Sequence, residues 1–237
     1  MVISEKFIRQ HTGLKNILIT PSCRSTFDEI GKNDLIVALE QQCGYGRGDH
    51  TFFCPSGGIY MVLRVQGLYV DAHTLTPTVG LAVHDAARSI LGVETQLKWV
   101  NDVMISGKKA VGILCRSPRR AEYLVGIGIN YSTPQSEFEK AGLADVAASF
   151  EAPENRASAF VTGLVNRIKR HALAGFDHVR YSALCMNVGK TVEFTHDSTR
   201  VRGFAEQIAP DGSLIVRIGS ATVAVDAGEV SIIRNAE

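Results

Sequence analysis

The order of strand-like and helix-like runs constrains the fold of this chain more than any other feature. Apolar runs of strand length occupy residues 15–21, 34–40 and 57–65, and two longer stretches place their apolar residues at helical spacing. After about residue 186 the chain changes to short strand-like runs separated by turn sequences. This order predicts an α+β protein, in which a mostly antiparallel sheet carries helices and a small β-barrel-like unit follows.

Local signals predict where the two helices begin and end. Thr76 and Pro77 are typical of a helix start, with threonine as the N-cap and proline in the first helical position, and Gly92 ends that run. The second helix is expected from Ala157 to Ala174.

The last fifty or so residues are expected to form the second unit. Its short strands are separated by turns predicted at Asp197-Ser198, Pro210-Asp211-Gly212 and Gly219-Ser220. We therefore expect one unit at residues 1–186 and a second at residues 187–237.

Composition excludes several classes of protein. The chain has 237 residues, 45% of them hydrophobic, which suffices for one main domain and a small appendage. A formal net charge of +1 gives no reason to expect binding to DNA or to a membrane. No apolar run is long enough to span a bilayer, and the first residues lack a signal-peptide pattern. The five cysteines are widely spaced, so we expect reduced thiols in the cytoplasm, without a zinc site or a disulfide framework.

The segment CGYGRGDH, residues 43–50, follows a predicted strand and is the first candidate for ligand binding. Its glycines let the backbone approach a ligand closely, and the guanidinium of Arg47 suits a phosphate or carboxylate. It is not a P-loop, because no Gly-Lys-Ser/Thr follows. It also runs on into Phe52-Phe53, whereas a G-x-G-x-x-G dinucleotide fingerprint opens a helix. A plain turn is the alternative interpretation.

A hairpin that turns at Ser106-Gly107 is predicted in residues 96–116. It is expected to bring several polar side chains together. One strand ends and the other begins with polar side chains that would face one another: Lys98, Asn101, Asp102, Lys108 and Lys109. Carboxylate and amide oxygens are ligands for Mg²⁺, and lysine balances the charge of phosphate, so this set suits a metal-bound nucleotide. A solvated hairpin tip is the alternative.

The strand GIGINY contains Gly126 and Gly128 in its interior. Glycine at such positions costs stability, so we expect a ligand or another backbone to come close there. Asn130 at the end of the strand is a candidate polar contact. Ordinary packing is the alternative.

Taken together, these segments resemble biotin protein ligase. QQCGYGRGDHTFFCPSGGIYM resembles the biotin loop of that family, with its Q-x-x-G-x-G-R core. KWVNDVMISGKKAVGIL resembles the K-W-P-N-D…K-x-x-G-I-L signature, and GIGINY resembles the G-I-G-I-N strand. GFAEQIAPDGSLIV is similar to the small C-terminal domain of the family. The four segments occur in the family's order, and the resemblance runs over nearly the whole chain.

The resemblance implies a fold and a domain arrangement. The fold is a mixed, largely antiparallel sheet with packed helices, as in biotin and lipoate ligases, followed by a small SH3-like β-barrel. Larger members of the family carry an N-terminal winged helix that binds DNA. Because the similarity starts within the first twenty residues, we expect a monofunctional ligase without that domain.

The resemblance also implies the residues of the site. The positions that correspond to biotin contacts are Ser25, Thr26, Phe27, Gln41, Gly44, Tyr45, Gly46, Arg47, Lys109, Gly112 and Gly126. The positions that correspond to Mg²⁺-ATP contacts are Arg47, Lys98, Asn101, Asp102, Lys109 and Asn130, with Asp102 as the magnesium ligand. Phe27 departs from the family, which has asparagine there beside the ureido ring of biotin. Residues 48–50, Gly-Asp-His, replace two further basic residues of the family's loop.

The reaction implied by the resemblance has two steps. The carboxylate of biotin, the substrate, attacks the α-phosphorus of ATP in the presence of Mg²⁺, which yields biotinyl-AMP and pyrophosphate. A lysine of a biotin carboxyl carrier protein or domain then attacks the mixed anhydride and releases AMP. Lys109 and Arg47 are the expected catalytic residues, because a cation must stand between two reacting anions.

Two alternatives stay open at this stage. A lipoate or octanoate ligase could use the same scaffold, although such relatives usually show R-x-S-G-G-G where this chain has CPSGGIY. A non-catalytic biotin-binding relative is suggested by the altered loop, although Arg47 and Lys109 are both present. The expected oligomeric state is a monomer or a weak homodimer.

Overall fold

The computed structural model describes residues 1–66, 72–196, 199–226, 228 and 230–233. The helices are α1 (Glu5–Thr12), α2 (Thr26–Glu29), α3 (Ala72–Ala86), α4 (Gln135–Lys140), α5 (Ala157–Ala174) and α6 (His178–Leu184), with a π-helical turn at Ala87–Leu91 and a 3₁₀ turn at Glu154–Arg156. The strands are β1 (Ile17–Thr20), β2 (Leu35–Ala38), β3 (Gly44–Tyr45), β4 (Thr51–Phe52), β5 (Ile59–Gln66), β6 (Gln96–Lys98), β7 (Asp102–Ile105), β8 (Lys108–Arg119), β9 (Glu122–Ile129), β10 (Thr191–His196), β11 (Thr199–Ile208), β12 (Leu214–Ile218), β13 (Ala221–Val225) and β14 (Val230–Ile232).

The larger sheet contains seven strands in the order β1-β2-β5-β9-β8-β7-β6. The pair β1–β2 is parallel and the other neighbours are antiparallel, which confirms the predicted mixed, largely antiparallel sheet. The hairpin at Ser106-Gly107 is also confirmed. Its first strand is not continuous, however, because the chain turns at residues 99–101. Asp102 therefore begins β7 and does not end a strand as predicted.

The two faces of this sheet have different surroundings. Side chains on a strand alternate between faces, and Leu63 and Val125 point into the core that α3 and α5 cover. Their neighbours Val62 and Gly126 point to the other face, where Val62 packs with Ile36 and α2 covers a smaller area. In the described part of the chain, no helix combines the length and apolar composition that crossing a membrane requires.

The start of the first long helix was predicted wrongly. α3 begins at Ala72, so Thr76 is not its N-cap and Pro77 lies inside the helix. Proline removes one intrahelical hydrogen bond, but packing of α3 against α5 and the sheet outweighs this local signal. The predicted end is confirmed, because Gly92 has a φ of 75° after the π-helical turn. The helix predicted at residues 157–174 is also confirmed.

Helix α1 was not predicted, although the sequence contains signals for it. The Ser4 side chain accepts a hydrogen bond from the Phe7 N–H, and Gly13 ends the helix with a φ of 70°. A serine N-cap and a C-terminal glycine are the usual marks of a helix of this length.

The second sheet has five antiparallel strands in the order β13-β12-β11-β10-β14, consistent with an SH3-like unit. Turns occur as predicted at residues 210–212 and 219–220, whereas the turn predicted at Asp197-Ser198 lies outside the described residues. The division into residues 1–186 and 187–237 stays a prediction.

Trp99 connects the two sheets. Its backbone N–H donates to Asn187 Oδ1 at 2.8 Å, and its indole Nε1–H donates to the Gly212 carbonyl at 2.9 Å. Trp99 is 4% exposed, so water cannot readily replace a partner that either of these hydrogen bonds loses.

Replacing Trp99 by phenylalanine should lower the free energy of unfolding by about 1–3 kcal/mol, because the buried Gly212 carbonyl loses its donor. Urea unfolding followed by far-ultraviolet circular dichroism measures this change. Val179→Ala, which alters an exposed side chain, is the control and should change stability by less than about 0.5 kcal/mol. Equal stability of the two variants would contradict the structural role of Trp99.

Candidate active site

A cavity of about 530 Å³ lies on the sheet face that carries α2. Every position that the resemblance assigns to biotin lines it: Ser25, Thr26, Phe27, Gln41, Gly44, Tyr45, Gly46, Arg47, Lys109, Gly112 and Gly126. Three of the positions assigned to Mg²⁺-ATP, Lys98, Asn101 and Asp102, line it as well. Asn130 instead lines a neighbouring cavity of about 370 Å³. The predicted residues therefore meet at one place in the fold.

The glycine-rich segment forms a tight hairpin at the edge of this cavity. β3 pairs with β4, which places Gly44 opposite Phe52, and the Gly46 N–H donates to the His50 carbonyl at 2.9 Å. A Cβ atom at Gly44 would lie 2.3 Å from the Phe52 carbonyl oxygen, so only glycine fits there. Asp49, the acidic residue of the segment, is exposed and is not part of the cavity wall.

Arg47 extends from the glycine-rich segment to the connection between β13 and β14. Its Nη1 donates to the Gly228 carbonyl at 3.3 Å, and both Gly228 and Val230 line the cavity. Sequence reasoning missed these two residues, because no local pattern marks a contact between positions about 180 residues apart.

Thr26 and Gln41 join α2 to the base of the glycine-rich segment. The backbone N–H and the hydroxyl of Thr26 both donate to Gln41 Oε1 at 2.7 Å, and Gln41 Nε2 donates to the sulfur of Cys54 at 3.2 Å. Ser25 is 1% exposed, and among the described residues its hydroxyl has no hydrogen-bond partner. A buried polar atom without a partner at a cavity wall is suited to bind a polar group of a ligand.

Two cysteines lie beside this network, and neither is a thiolate at neutral pH. Burial raises the pKa of the Cys54 thiol to about 12 and that of the Cys23 thiol to about 11. A nucleophilic cysteine requires a lowered pKa. These thiols are therefore structural.

A β-bulge at Ala110 determines which way Lys109 points. Val103 pairs with Val111, but Met104 pairs with Lys109, so β8 has one extra residue at this point. Because side chains alternate along a strand, this extra residue places Lys109 on the same face as Asp102 and the cavity. Lys109 Nζ lies 2.7 Å from Asp102 Oδ1, and the side chains are 34% and 16% exposed.

The other polar residues of the hairpin divide between two places. Asn101 lines the cavity and donates from Nδ2 to the Ile113 carbonyl at 3.3 Å, and Lys98 lines both cavities. Lys108 was expected in the same group, but its Nζ donates to the Ala144 carbonyl at 2.7 Å. It was placed wrongly because adjacent residues of a strand point to opposite faces of the sheet, so Lys108 and Lys109 cannot both face the cavity.

The cavity floor consists of glycines that are covered by aromatic rings. A Cβ atom would lie 2.9 Å from the Phe52 ring at Gly112 and 2.7 Å from it at Gly128. At Gly126 it would lie 2.3 Å from the ring of Phe27. A ligand or another backbone was expected over Gly126 and Gly128. The nearest atoms in this structure belong to the ring of Phe27, a position assigned to biotin, and to the ring of Phe52, which sequence reasoning did not assign. Phe27 thus fills space that a smaller asparagine would leave open.

Asn130 connects β9 to the second cavity. Its Nδ2 donates to the Ala148 carbonyl at 2.9 Å and to the Lys109 carbonyl at 3.3 Å, while its buried Oδ1 has no partner among the described residues. The two cavities share wall residues, which are Thr51, Phe52, Lys98, Asp102 and Lys109. The Lys109–Asp102 pair therefore stands where the cavities adjoin.

A purely protein-built metal site is not found in the part of the chain that the structure describes. No group of three or more histidine, cysteine, aspartate or glutamate side chains comes together there. A cation bound at Asp102 would need ligands from another molecule, as Mg²⁺ commonly obtains from phosphates.

Solved structures share this fold. A biotin protein ligase from Aquifex aeolicus in complex with biotin and ATP superimposes with a TM-score of 0.78, over 93% of this chain and 100% of that chain. Sequence identity between the two is 20%, so the likeness shows the fold.

The sequence comparison extends to curated relatives. The chain is 32% identical over 143 residues to the bifunctional ligase/repressor BirA of Bacillus spizizenii, which is 55% of this chain and 44% of that protein. It is 29% identical over 214 residues to the biotin–[acetyl-CoA-carboxylase] ligase of Mycobacterium tuberculosis, covering 85% of this chain and 80% of that one. The chain thus spans less than half the length of the Bacillus relative.

A third comparison gives the family model that this chain matches. Residues 21–131, a little under half of the chain, match the model of the Biotin/lipoate A/B protein ligase family, and they include all of the predicted site residues. This match confirms the resemblance read from the motifs.

A double-mutant cycle tests the packing of Phe27 on Gly126. Gly126→Ala should destabilise the protein by about 1–3 kcal/mol through overpacking, and most of that loss should disappear when Phe27 is alanine. Chemical unfolding of the four proteins gives the coupling. Gly80→Ala is the control, because its nearest atom would lie at 3.6 Å. Purely additive effects of the two changes would show that the ring does not rest on the glycine.

Alkylation tests the protonation state of Cys54. Because its pKa is raised to about 12, the thiolate is nearly absent at pH 8, and reaction with iodoacetamide should be slowed by about 100-fold or more relative to the unfolded chain. Peptide mass spectrometry of native and urea-unfolded protein follows this residue separately. Equal rates in the two states would contradict the burial of the thiol.

Proposed function

We propose that this protein activates biotin with ATP to biotinyl-AMP and transfers the biotinyl group to a lysine of a biotin carboxyl carrier protein or domain. The family, the fold and the composition of the cavity wall support this reaction. The observation that carries it is the position of Lys109, which pairs with Asp102 where two cavities adjoin.

The two cavities suit the two substrates of the first step. The larger one has glycines and aromatic rings along its floor and the hydroxyl of Ser25 in its wall, which suits a ligand with an apolar body and a polar ring. The smaller one adjoins it at Lys98 and Lys109 and is proposed to hold the adenosine part of ATP. The carboxylate of biotin and the α-phosphate would then meet at the shared wall.

Lys109 and Arg47 are proposed to offset the electrostatic repulsion between these two anions. Repulsion between two unit charges at 4 Å amounts to about 4 kcal/mol at an effective dielectric constant near 20. A lysine ammonium in a fixed position offsets this repulsion without reorganising during the reaction. Asp102 holds that ammonium in place before substrates bind, and Arg47, anchored by the Gly228 carbonyl, supplies the second charge.

Magnesium fits the oxygen atoms available near the shared wall. Asp102 provides a carboxylate, and Asn130 provides a buried Oδ1 that has no partner among the described residues. Both are ligand types that Mg²⁺ accepts together with phosphate oxygens. When bound, Mg²⁺ would neutralise charge on the phosphates and assist the departure of pyrophosphate.

The second step requires access for a neutral amine rather than a new catalytic group. The amine of the carrier lysine attacks the carbonyl carbon of the mixed anhydride, which forms the amide bond as the bond from that carbon to the phosphate oxygen breaks. AMP leaves with the electron pair of that bond, which the cations of the site stabilise, and the proton lost by the amine passes to water. Location in the cytoplasm, absence of DNA binding and a monomer or weak homodimer stay predictions that accompany this proposal.

Adjacent lysines provide a matched test of the proposed chemistry. Lys109→Ala should lower the rate of adenylate formation by about 100-fold or more, because the cation between the reacting groups is lost. Lys108→Ala should leave that rate within a few fold, because Lys108 binds the Ala144 carbonyl. Pyrophosphate release with biotin and Mg²⁺-ATP gives the rates, and circular dichroism melts confirm that both variants fold.

The same assay distinguishes the proposed substrate from its alternatives. Biotin, lipoate and octanoate are supplied separately, and the adenylates are trapped and identified by mass spectrometry. Adenylation of lipoate or octanoate in preference to biotin would overturn the proposed substrate. A folded Lys109→Ala protein with nearly full activity would overturn the role of this lysine.

A further inference from the structure

The glycine-rich segment has an anchor outside the cavity that the proposed reaction does not explain. The Tyr45 hydroxyl donates to the Asp28 carboxylate, 3.2 Å from Oδ1 and 3.1 Å from Oδ2. The guanidinium carbon of Arg116 lies 4.7 Å from the centroid of the Tyr45 ring. A residue of the segment is thus held both by α2 and by β8.

The same arginine also contacts the ring that covers the cavity floor. The guanidinium carbon of Arg116 lies 4.5 Å from the centroid of Phe27, whose ring rests on Gly126. The rings of Phe27 and Tyr45 meet edge to face, with centroids 6.4 Å apart. One cation therefore contacts two aromatic rings, one from the floor and one from the glycine-rich segment.

We propose that Arg116 is a positioning residue, which clamps Tyr45 against Phe27 and so holds the glycine-rich segment over the cavity before any ligand binds. Arg116 is exposed and does not line the cavity, so it acts through the two rings. The clamp itself does not depend on the proposed reaction. Its effect on the lifetime of bound biotinyl-AMP rests on the proposed function.

The physical need for such a clamp follows from the segment itself. Glycines at positions 44, 46 and 48 give the backbone many conformations, and ordering them costs conformational entropy. Two cation–π contacts and one hydrogen bond to a carboxylate offset part of that cost. Hydrogen bonding to Asp28 also raises the pKa of Tyr45, so that its hydroxyl stays a donor to the carboxylate into the alkaline range.

The segment has a second anchor in another part of the fold. Arg47 reaches the Gly228 carbonyl, between β13 and β14, whereas Tyr45 reaches α2 and β8. The clamp therefore fixes the direction from which Arg47 approaches the cavity. Its loss should increase the opening of the segment without changing the chemistry at Lys109.

Trypsin reports the opening directly, because Arg47-Gly48 is a cleavage site within the segment. In the unliganded native protein, Arg116→Met should raise the rate of cleavage at this bond by about tenfold. Arg120→Met, which removes an exposed arginine from the turn of the same β8–β9 hairpin, is the matched control and should leave the rate unchanged. Mass spectrometry identifies the cleaved bond, and melting curves show that both variants are folded.

Two further variants separate the contacts. Tyr45→Phe keeps the ring but loses the hydroxyl, and should raise cleavage by about threefold. Arg116→Lys keeps the charge without the planar guanidinium, and should fall between the wild type and Arg116→Met. Equal cleavage of wild type and Arg116→Met, or equal acceleration by Arg116→Met and Arg120→Met, would overturn the clamp.

A ligand measurement tests the consequence for the proposed reaction. Dissociation of biotinol-AMP, in which a phosphodiester replaces the mixed anhydride, should be about tenfold faster from Arg116→Met, while the single-turnover rate of adenylate formation stays near the wild-type value. A purely structural defect would speed dissociation and would also lower the rate of adenylate formation. If the trypsin result holds but no biotin compound binds, the clamp stands and the proposed function fails.

Discussion

A single extra residue in β8 is the constraint on which the site depends. The bulge at Ala110 changes the alternation of side chains, so that Lys109 lies on the cavity face beside Asp102 instead of in the core under the helices. Without the extra residue, strict alternation along β8 would point this lysine to the opposite face of the sheet, away from the cavity. The spacing between lysine and glycine in this signature therefore has a structural meaning.

The other walls of the cavity are formed on the same face of the sheet. Glycines at 112, 126 and 128 leave room above the strands, and the rings of Phe52 and Phe27 occupy it in the structure described here. Aromatic rings on a glycine floor form an apolar slot, while Ser25, Asp102 and Lys109 supply polar groups at its walls. This combination of an apolar slot and few polar groups is typical of sites for small-molecule ligands.

Sequence patterns predicted the parts that depend on local signals. The strands, the helix at 157–174 and the hairpin turn at Ser106-Gly107 follow from apolar periodicity and turn residues. The start of α3 was missed because tertiary packing outweighs the signal of Pro77. The contacts of Arg116 with two rings and of Arg47 with Gly228 could not be predicted, since they join distant positions without a local pattern.

Native mass spectrometry of the protein mixed with biotin and Mg²⁺-ATP tests the central claim most directly. The account predicts a non-covalent complex with biotinyl-AMP that forms when both substrates are present, survives gentle desalting and disappears when a biotin carboxyl carrier domain is added. Biotin bound unchanged beside intact ATP, or biotin linked covalently to a side chain of the protein, would contradict it.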